Sequence, residues 1–209
     1  MAGEPSGERD LREVPEPVDV RGALREAIDR LASIEGQRAL IGGVALAIHG
    51  IERFTKDVDL AVTVQQAGAI EAAGGVADLR PLKIGGVSFA TSSGVRVDLI
   101  DRRFEYRALF EEAIAVAQRE GPSATVGDRR IPVVTLPHLV AMKLAAGRPK
   151  DESDLAAILA QSALDYARAR QIVKQHLGDF AARYLDRLAR TAGRDDMPED
   201  YADTAPYVR

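Results

Sequence analysis

Three aspartates interrupt otherwise apolar segments of the sequence. Asp57 and Asp59 form an Asp-x-Asp pair in DVDLAVTV, and Asp98 lies in VRVDLI. Alternate residues of a β-strand point to the same side of a sheet, so Asp57 and Asp59 can share a divalent cation. Asp is depleted from strands and unpaired buried carboxylates are costly, so a cation would explain why strands carry them.

Mg²⁺ prefers carboxylate oxygens and completes its coordination with water and substrate phosphates, and Mn²⁺ is the alternative cation. Asp98, on a second strand, would bring a second metal to the same place, which is the arrangement used to displace a phosphoryl group. We therefore predict that Asp57, Asp59 and Asp98 bind metal. A lone Asp-x-Asp pair is also typical of a solvated strand face, and that alternative stays open here.

A glycine pair precedes the first two aspartates. In RALIGGVALAIHG, a short apolar strand ends in Gly42-Gly43 and an apolar helix begins at once. The free backbone N–H groups at such a turn suit a triphosphate, and glycines allow it to approach the backbone. An ordinary tight turn is the other interpretation of the same residues.

The order of these pieces resembles the DNA polymerase beta-like nucleotidyltransferase superfamily, and within it the AbiEii-type branch, which includes toxins of toxin–antitoxin pairs. The resemblance covers about residues 38–160. It is carried by GGVALAIHGIERFTKDVDL, by RVDLI, and by a third stretch in which Leu136-Pro137 leads to Met142-Lys143, Arg148, Lys150-Asp151 and Asp154-Leu155.

The resemblance implies a role for each matching residue. Gly42 and Gly43 would cradle the triphosphate, and Asp57 and Asp59 would bind Mg²⁺. Asp98 would bind metal and help to deprotonate the acceptor hydroxyl. One departure concerns the glycines, because the superfamily's usual Gly-Ser is Gly-Gly here and lacks the hydroxyl that would bind phosphate.

Further residues of the predicted site come from the matching segments and the loop between them. The resemblance implies that Lys143 contacts phosphate or nucleotide and that Asp151 positions Lys143 or the acceptor. Arg53 and Lys56 flank the Asp-x-Asp pair and are predicted to contact phosphate, although a solvated loop is equally consistent with them. Arg102 and Arg103, after Asp98, are expected in a solvated turn, and contact with an acidic acceptor or RNA is the alternative.

Hydrophobic periodicity predicts the elements that position these residues. Strand-like segments alternate with helices up to the hairpin ATVGDRRIPVVT, and four helical segments follow it. The fold class is therefore α/β (α+β): a small mixed β-sheet flanked by helices forms a nucleotidyltransferase domain over residues 19–135, and a helical domain follows over residues 136–192. Residues 1–18 are predicted to be a disordered arm and residues 193–209 a polar tail.

Composition limits the classes of function. The chain has 209 residues, a formal net charge of −4 and no cysteine, which excludes disulfides and thiolate metal sites. No apolar run is long enough to span a membrane, and the acidic N-terminus predicts no secretory signal, so we expect a cytoplasmic protein. The negative charge argues against broad electrostatic binding to nucleic acid but leaves room for a local basic patch.

The expected activity is the Mg²⁺-dependent transfer of a nucleoside monophosphate from a nucleoside triphosphate to a hydroxyl. The toxin-like resemblance implies an RNA acceptor, above all tRNA, and an antitoxin protein as a partner. A small-molecule acceptor of the antibiotic type and a protein acceptor are the alternatives within this class. A catalytically inactive nucleotide-binding or regulatory module is the alternative outside it.

Overall fold

The computed structural model describes residues 19–73 and 78–196, and a five-stranded mixed sheet lies at its centre. The strands are β1 (Arg38–Ile41), β2 (Asp57–Val62), β3 (Arg80–Pro81), β4 (Gly86–Ala90) and β5 (Arg96–Ile100). Their order across the sheet is β1-β2-β5-β4-β3. The β2–β5 pair is parallel and every other neighbouring pair in this sheet is antiparallel. A hairpin of β6 (Ser123–Val126) and β7 (Arg129–Pro132) forms a second, two-stranded sheet.

Helices cover the sheet and form most of the second half of the described chain. They are α1 (Val20–Arg30), α2 (Gly42–Ile48), α3 (Val64–Ala73), α4 (Arg107–Glu120), α5 (Leu136–Ala146), α6 (Pro149–Leu159) and α7 (Tyr166–Thr191). The predicted class, a small mixed sheet flanked by helices and followed by further helices, is confirmed. Within the described residues, none of these helices is long and apolar enough to cross a membrane.

Element boundaries differ from the sequence-based expectation in a few places. Helix α1 ends at Arg30, although apolar residues at helical spacing continue through Leu31 and Ile34 towards Gly36; both are buried in the turn that follows the helix. Helix α7 spans two predicted helices, and Gly178 between them has a non-helical backbone (φ 86°). The predicted arm over residues 1–18 and residues 197–209 of the predicted tail lie outside the described residues.

One hydrophobic cluster extends from α1 and the sheet to α7. The segment after the hairpin is fastened directly to the sheet, because the Val134 amide donates to the Leu40 carbonyl at 3.0 Å. His49, at the end of α2, donates through Nε2 to the carbonyl of Val134 at 2.8 Å. These contacts place the start of α5 beside the β1–α2 junction. The division into two domains near residue 135 stays a prediction.

A buried polar group joins the two ends of α7. Asp186 is fully buried, and its carboxylate accepts a hydrogen bond from the Tyr166 hydroxyl at 2.6 Å and from Arg170 Nε at 2.8 Å. Burial, reinforced by this hydrogen bond, raises the pKa of Tyr166, which therefore remains a donor at neutral pH. The cluster ties together the two halves of α7, which packs along α5.

Asp186→Ala should lower the free energy of unfolding by about 2–4 kcal/mol, because the buried Tyr166 hydroxyl loses its acceptor and Arg170 loses an ion pair. Asp179→Ala is the matched control on the same helix, since Asp179 is exposed and pairs with Lys174 at the surface; it should change stability little. Urea denaturation measures both values. Equal losses in the two variants would contradict the assigned role of Asp186.

Candidate active site

The parallel pairing of β2 with β5 brings the three predicted metal-binding aspartates to one part of the sheet. Asp59 and Asp98 are register partners on these adjacent strands, and Asp57 lies opposite Arg96. Asp57 and Asp59 lie on the same side of β2, as the alternation predicts. The apolar partners Val58, Leu60, Val97 and Leu99 are fully buried in the core, whereas the carboxylates face away from it.

Arg96 lies between two of these carboxylates. Its Nη2 is 3.1 Å from Asp57 Oδ2, and its Nε is 3.3 Å from Asp98 Oδ1 in an ion pair that lacks hydrogen-bond geometry. The Arg96 side chain is 61% exposed, so it can leave this position without disturbing the core. Arg96 therefore supplies positive charge to the cluster in the described conformation.

The three carboxylates differ in their pKa values for physical reasons. Burial, followed by the charges of Asp57 and Asp98, raises the pKa of Asp59 to about 6. Burial also raises the pKa of Asp98, although a hydrogen bond to Ser88 and the charge of Arg96 oppose this. Burial works in the same sense on Asp57, but the Thr55 hydroxyl, Lys150 and Arg96 outweigh it and lower the pKa of that carboxyl. Asp59 is thus the carboxylate with the least compensation.

The residues fit a divalent cation on two observations. Within residues 19–73 and 78–196, no side chain donates a hydrogen bond to the Asp59 carboxylate, and the buried Asp98 Oδ1 accepts none. In the same residues, no group of three or more acidic or histidine side chains is arranged to hold a metal ion by itself. Mg²⁺ usually needs only one or two carboxylates, because water and substrate phosphates supply the remaining oxygens. An incomplete site of this kind is suited to a metal that arrives with a nucleotide.

The glycine turn is packed against the Asp-x-Asp strand. Gly42 has a left-handed backbone (φ 67°), and a Cβ there would overlap Asp59 Oδ2. A Cβ on Gly43 would lie 2.6 Å from Arg53 Nη1 and 2.8 Å from the Cβ of Thr55. No side chain fits at either position unless these neighbours move. The Arg53 guanidinium thus stands beside the position where the superfamily's serine would carry its hydroxyl.

A buried ionic network connects α5 and α6 with this loop. Lys143 Nζ, on the 5% exposed side chain, donates to Asp151 Oδ1 at 3.0 Å and to Asp154 Oδ2 at 2.5 Å. Arg53 Nε pairs with the other Asp154 oxygen at 2.9 Å. Arg148 donates from both its backbone and its guanidinium to Asp151. The hydrogen bonds from Arg148 and Lys143 lower the pKa of Asp151 in spite of its burial.

Most of the predicted site residues converge, and a few positions differ from expectation. Lys56 is exposed, with its ammonium 5.7 Å from the Phe54 ring centroid. Arg102 was expected in a solvated turn but is only 8% exposed, because it packs on aromatic rings of α4. Sequence reasoning did not select Arg96 or Asp154. A signal existed for Asp154, which lies three residues after Asp151 and therefore on the same helical face.

A cavity of about 280 Å³ opens between the carboxylates and α5. Gly42, Asp59, Lys143 and Arg148 are among the residues that line it. The rest of its lining is largely apolar. The cavity thus links the acidic cluster with the ionic network of α5 and α6.

The sequence family defines the class of protein, which is a nucleotidyltransferase enzyme. The chain belongs to the AbiEii family: the family model described as nucleotidyl transferase AbiEii toxin, type IV toxin–antitoxin system, matches residues 26–207. The resemblance predicted from the glycine turn and the aspartate motifs is therefore confirmed. No curated relative matches the chain.

Several solved structures are distantly similar. The antibiotic-resistance factor ANT(2'')-Ia in solution is 15% identical with a TM-score of 0.42, over 82% of this chain and 91% of that one. The crystal structure of that factor with adenylyl-2''-tobramycin is 14% identical with a TM-score of 0.40, over 82% of this chain and 97% of the other. An antigenic nucleotidyltransferase-like protein from Paracoccidioides brasiliensis is 13% identical with a TM-score of 0.43, over 81% of this chain and 91% of the other. These likenesses are too distant to carry an argument about substrate.

Gly43→Ala should lower the free energy of unfolding by about 1–3 kcal/mol, because the added methyl group displaces Arg53 and Thr55. The matched control is Gly68→Ala in α3, where a Cβ meets open space; it should stabilise the chain by about 0.5–1 kcal/mol. Urea denaturation of both variants measures the difference. If Gly43→Ala were as stable as Gly68→Ala, the glycine turn would accommodate a methyl group without a steric clash.

Asp59→Asn should stabilise the metal-free protein at pH 8 by about 3 kcal/mol. The Asp59 carboxyl has a pKa of about 6 in the folded chain and an ordinary value of 3.8 when unfolded. Folding is therefore penalised at every pH above 6, and the penalty disappears as the pH falls from 6 to below 4. The advantage of the variant should disappear over the same range.

Asp57→Asn is the control for this experiment, because the folded-state pKa of Asp57 is lowered and its effect on stability has the opposite sign. The Asp57 carboxylate stabilises the fold above its unfolded pKa, and this is lost as the pH falls through its folded pKa. Neutralising Asp57 should therefore destabilise the protein at pH 8. Denaturation curves with a chelator at pH 4.5 and pH 8 test both signs. Destabilisation by Asp59→Asn at pH 8 would refute the crowding of carboxylates described above.

Proposed function

We propose that the protein transfers a nucleoside monophosphate from a nucleoside triphosphate to a hydroxyl group of RNA and releases pyrophosphate. One observation carries the proposal: Asp59 and Asp98 are register partners on parallel strands, with the Asp59 carboxylate packed against the glycine turn. Membership of the AbiEii family supplies the reaction class. A phosphoryl displacement needs charge compensation and alignment at one point, and this is the point where the described residues provide both.

The proposed binding of the triphosphate uses residues on two sides of the cavity. On the sheet side, the backbone amides at Gly42 and Gly43 and the Arg53 guanidinium face the carboxylates. On the helical side, Lys143 is held by Asp151 and Asp154 and cannot rotate freely, because each of these carboxylates accepts one of its hydrogen bonds. The ammonium of Lys143 therefore has one N–H left to donate to phosphate, from a fixed position. Lys56, at the exposed end of the loop, adds a cation near the entrance.

The metal-binding part of the proposal assigns Mg²⁺, or Mn²⁺, to Asp57, Asp59 and Asp98. When bound, the cation would neutralise negative charge on the transferring phosphoryl group and its leaving pyrophosphate. Arg96 would have to withdraw from Asp57 and Asp98 to make room, which its exposed side chain permits. The carboxylates would then gain the compensation that Asp59 lacks in the described conformation.

The bond changes follow from this arrangement. The acceptor hydroxyl oxygen bonds to the α-phosphorus, and the bond from that phosphorus to the oxygen bridging to the β-phosphorus breaks. Pyrophosphate leaves with this oxygen and its electron pair. Asp98 takes the hydroxyl proton, and its Oδ1 suits this role because it is buried and accepts no hydrogen bond from the described residues.

The acceptor and partners are proposed from the family and from local charge. The family description names a toxin of a type IV toxin–antitoxin system, which favours tRNA or another RNA as acceptor and an antitoxin protein as partner. A chain of net charge −4 brings Arg148 and Lys150 close enough to Asp59 to affect its pKa, and such a local patch suits a polyanion. Because these substrates are cytoplasmic, we also propose that the activity is cytoplasmic.

The proposed domain division follows from where the residues of the proposed site lie in the sequence. The carboxylates and the glycine turn belong to residues 19–135, whereas Lys143 and Asp151 belong to residues 136–192. We propose that these ranges are a nucleotidyltransferase domain and a helical domain, and that the helical domain completes the nucleotide site. The loop containing Arg53 joins them through its ion pair with Asp154.

Asp59→Asn should reduce nucleotidyl transfer by roughly 10²-fold to 10³-fold, because a ligand worth several kcal/mol in the transition state is lost. Each of the four nucleoside triphosphates, labelled at the α-phosphate, is incubated with total RNA and Mg²⁺ or Mn²⁺. The label in RNA is then compared between wild type, Asp59→Asn and the surface control Asp179→Asn, which should match wild type.

Three results would change the proposal. Label in a protein extract or in an aminoglycoside, but not in RNA, would retain the reaction and refute the RNA acceptor. Equal labelling by wild type and Asp59→Asn would refute the assigned site. If wild type binds none of the four metal–nucleotide complexes, the proposal fails as a whole.

A further inference from the structure

The cavity beside Asp59 is lined by two chemically different groups of residues. Gly42 and Asp59 belong to the first group, where the proposed function puts the triphosphate. The second group comes from the turn before β4, the end of β5, α4 and α5, and consists of Ile84, Ile100, Arg102, Phe110, Leu139 and Met142. We call the part of the cavity lined by this second group the Arg102 pocket. The whole cavity, about 280 Å³, is at the small end of ligand sites, so it suits one nucleotide-sized group.

Arg102 is the unusual member of this lining. Its side chain is 9% exposed, and among the described residues its buried Nε has no hydrogen-bond partner. The nearest acidic oxygen to its Nη2 is that of Glu105, at 4.0 Å, on a largely exposed side chain. The guanidinium otherwise lies over aromatic rings, 5.0 Å from the Tyr106 centroid and 5.9 Å from that of Phe110. Leaving a buried charged donor unsatisfied is costly, so an acceptor is expected to arrive from outside.

The backbone holds Arg102 in this position against its own preference. Arg102 has a φ of 50° and Tyr106 a φ of 62°, both in the left-handed region that non-glycine residues avoid. Buried Asp101 fixes the intervening turn, because its carboxylate accepts from the Arg103 backbone amide at 3.0 Å and from Arg103 Nε at 2.7 Å. A strained conformation enforced by its surroundings is typical of functional positions.

We infer that the Arg102 pocket binds the base of the donor nucleotide and that Arg102 selects bases with two adjacent hydrogen-bond acceptors. This inference rests on the proposed function, since it concerns the nucleotide of the same site. The aliphatic and aromatic walls suit the faces of a flat ring, and the guanidinium supplies parallel N–H donors in a fixed fork. Cytosine presents N3 and O2 side by side, and guanine presents O6 and N7.

The other bases match the fork less well. Adenine places an amino donor next to its N7 or N1 acceptor, and uracil places an N–H between its two carbonyls. Either base would leave one guanidinium donor facing another donor in a buried site, which is the kind of mismatch that rejects a ligand. A phosphate group is a poor alternative occupant beside Arg102, because the other residues of the Arg102 pocket are apolar.

The test compares the affinities of four non-hydrolysable nucleoside triphosphate analogues, one for each base, by calorimetry with Mn²⁺ present. Wild type should bind the cytosine or guanine analogue at least 10-fold more tightly than the adenine and uracil analogues. Arg102→Leu should weaken the preferred analogue by about 10- to 100-fold and bring the four affinities within a few-fold of one another. Its affinity for inorganic tripolyphosphate should equal that of wild type.

Two further variants keep the result interpretable. Arg102→Lys retains the charge above the aromatic rings but loses the fork, so it should fold as wild type does and still lose the base preference. Arg107→Leu removes an exposed arginine at the start of α4 that pairs with Glu111, and it should keep the wild-type preference.

Equal binding of all four analogues by wild type would overturn the inference, and so would an unchanged preference in both Arg102 variants. These outcomes would leave the proposed transfer reaction standing, because the analogues would still bind. Failure of wild type to bind any analogue or tripolyphosphate would overturn the proposed function and this inference with it.

Discussion

The crowding of negative charge on two neighbouring strands is the constraint on which the rest of the site depends. Asp59 and Asp98 are forced side by side by the parallel β2–β5 register, and Asp57 is two residues away on the same face. Arg96 and Lys150 compensate this charge in part, but the pKa of Asp59 is still raised to about 6. A fold selected only for stability would not retain such a cluster, since neutral residues at these positions would avoid its cost.

The helical half of the chain places positively charged side chains near this negative charge. Lys143, Arg148 and Arg53 bring positive charge towards the aspartates, yet each is held by Asp151 or Asp154 rather than by the cluster itself. This arrangement prevents the cations from collapsing onto the carboxylates and closing the cavity. Fixed charges that face each other across a gap are pre-organised for a ligand that carries both a metal and phosphates.

Much of this was predictable from the sequence, because the relevant signals are local. The period of two put Asp57 and Asp59 on one face, and the glycine pair located the β1–α2 turn. The pairing of β2 with β5 is a long-range property, so the sequence pattern alone could not establish that Asp98 faces Asp59; the family resemblance was needed. The prediction that Arg102 lies in a solvated turn was wrong, because its burial depends on aromatic rings at the start of α4. A local sequence pattern does not show that these rings pack against it.

The glycine turn, which lacks the superfamily's serine, is a second feature whose surroundings the sequence does not show. From sequence, Gly42-Gly43 looks like the loss of a phosphate-binding hydroxyl. In the structure, Arg53 Nη1 and Thr55 occupy the space that a side chain at position 43 would need. A guanidinium offers more donors than a hydroxyl and carries a full positive charge, so it is a stronger partner for phosphate. In the proposed site, Arg53 would therefore replace the hydroxyl as the phosphate-binding group, and its ion pair with Asp154 holds it in position.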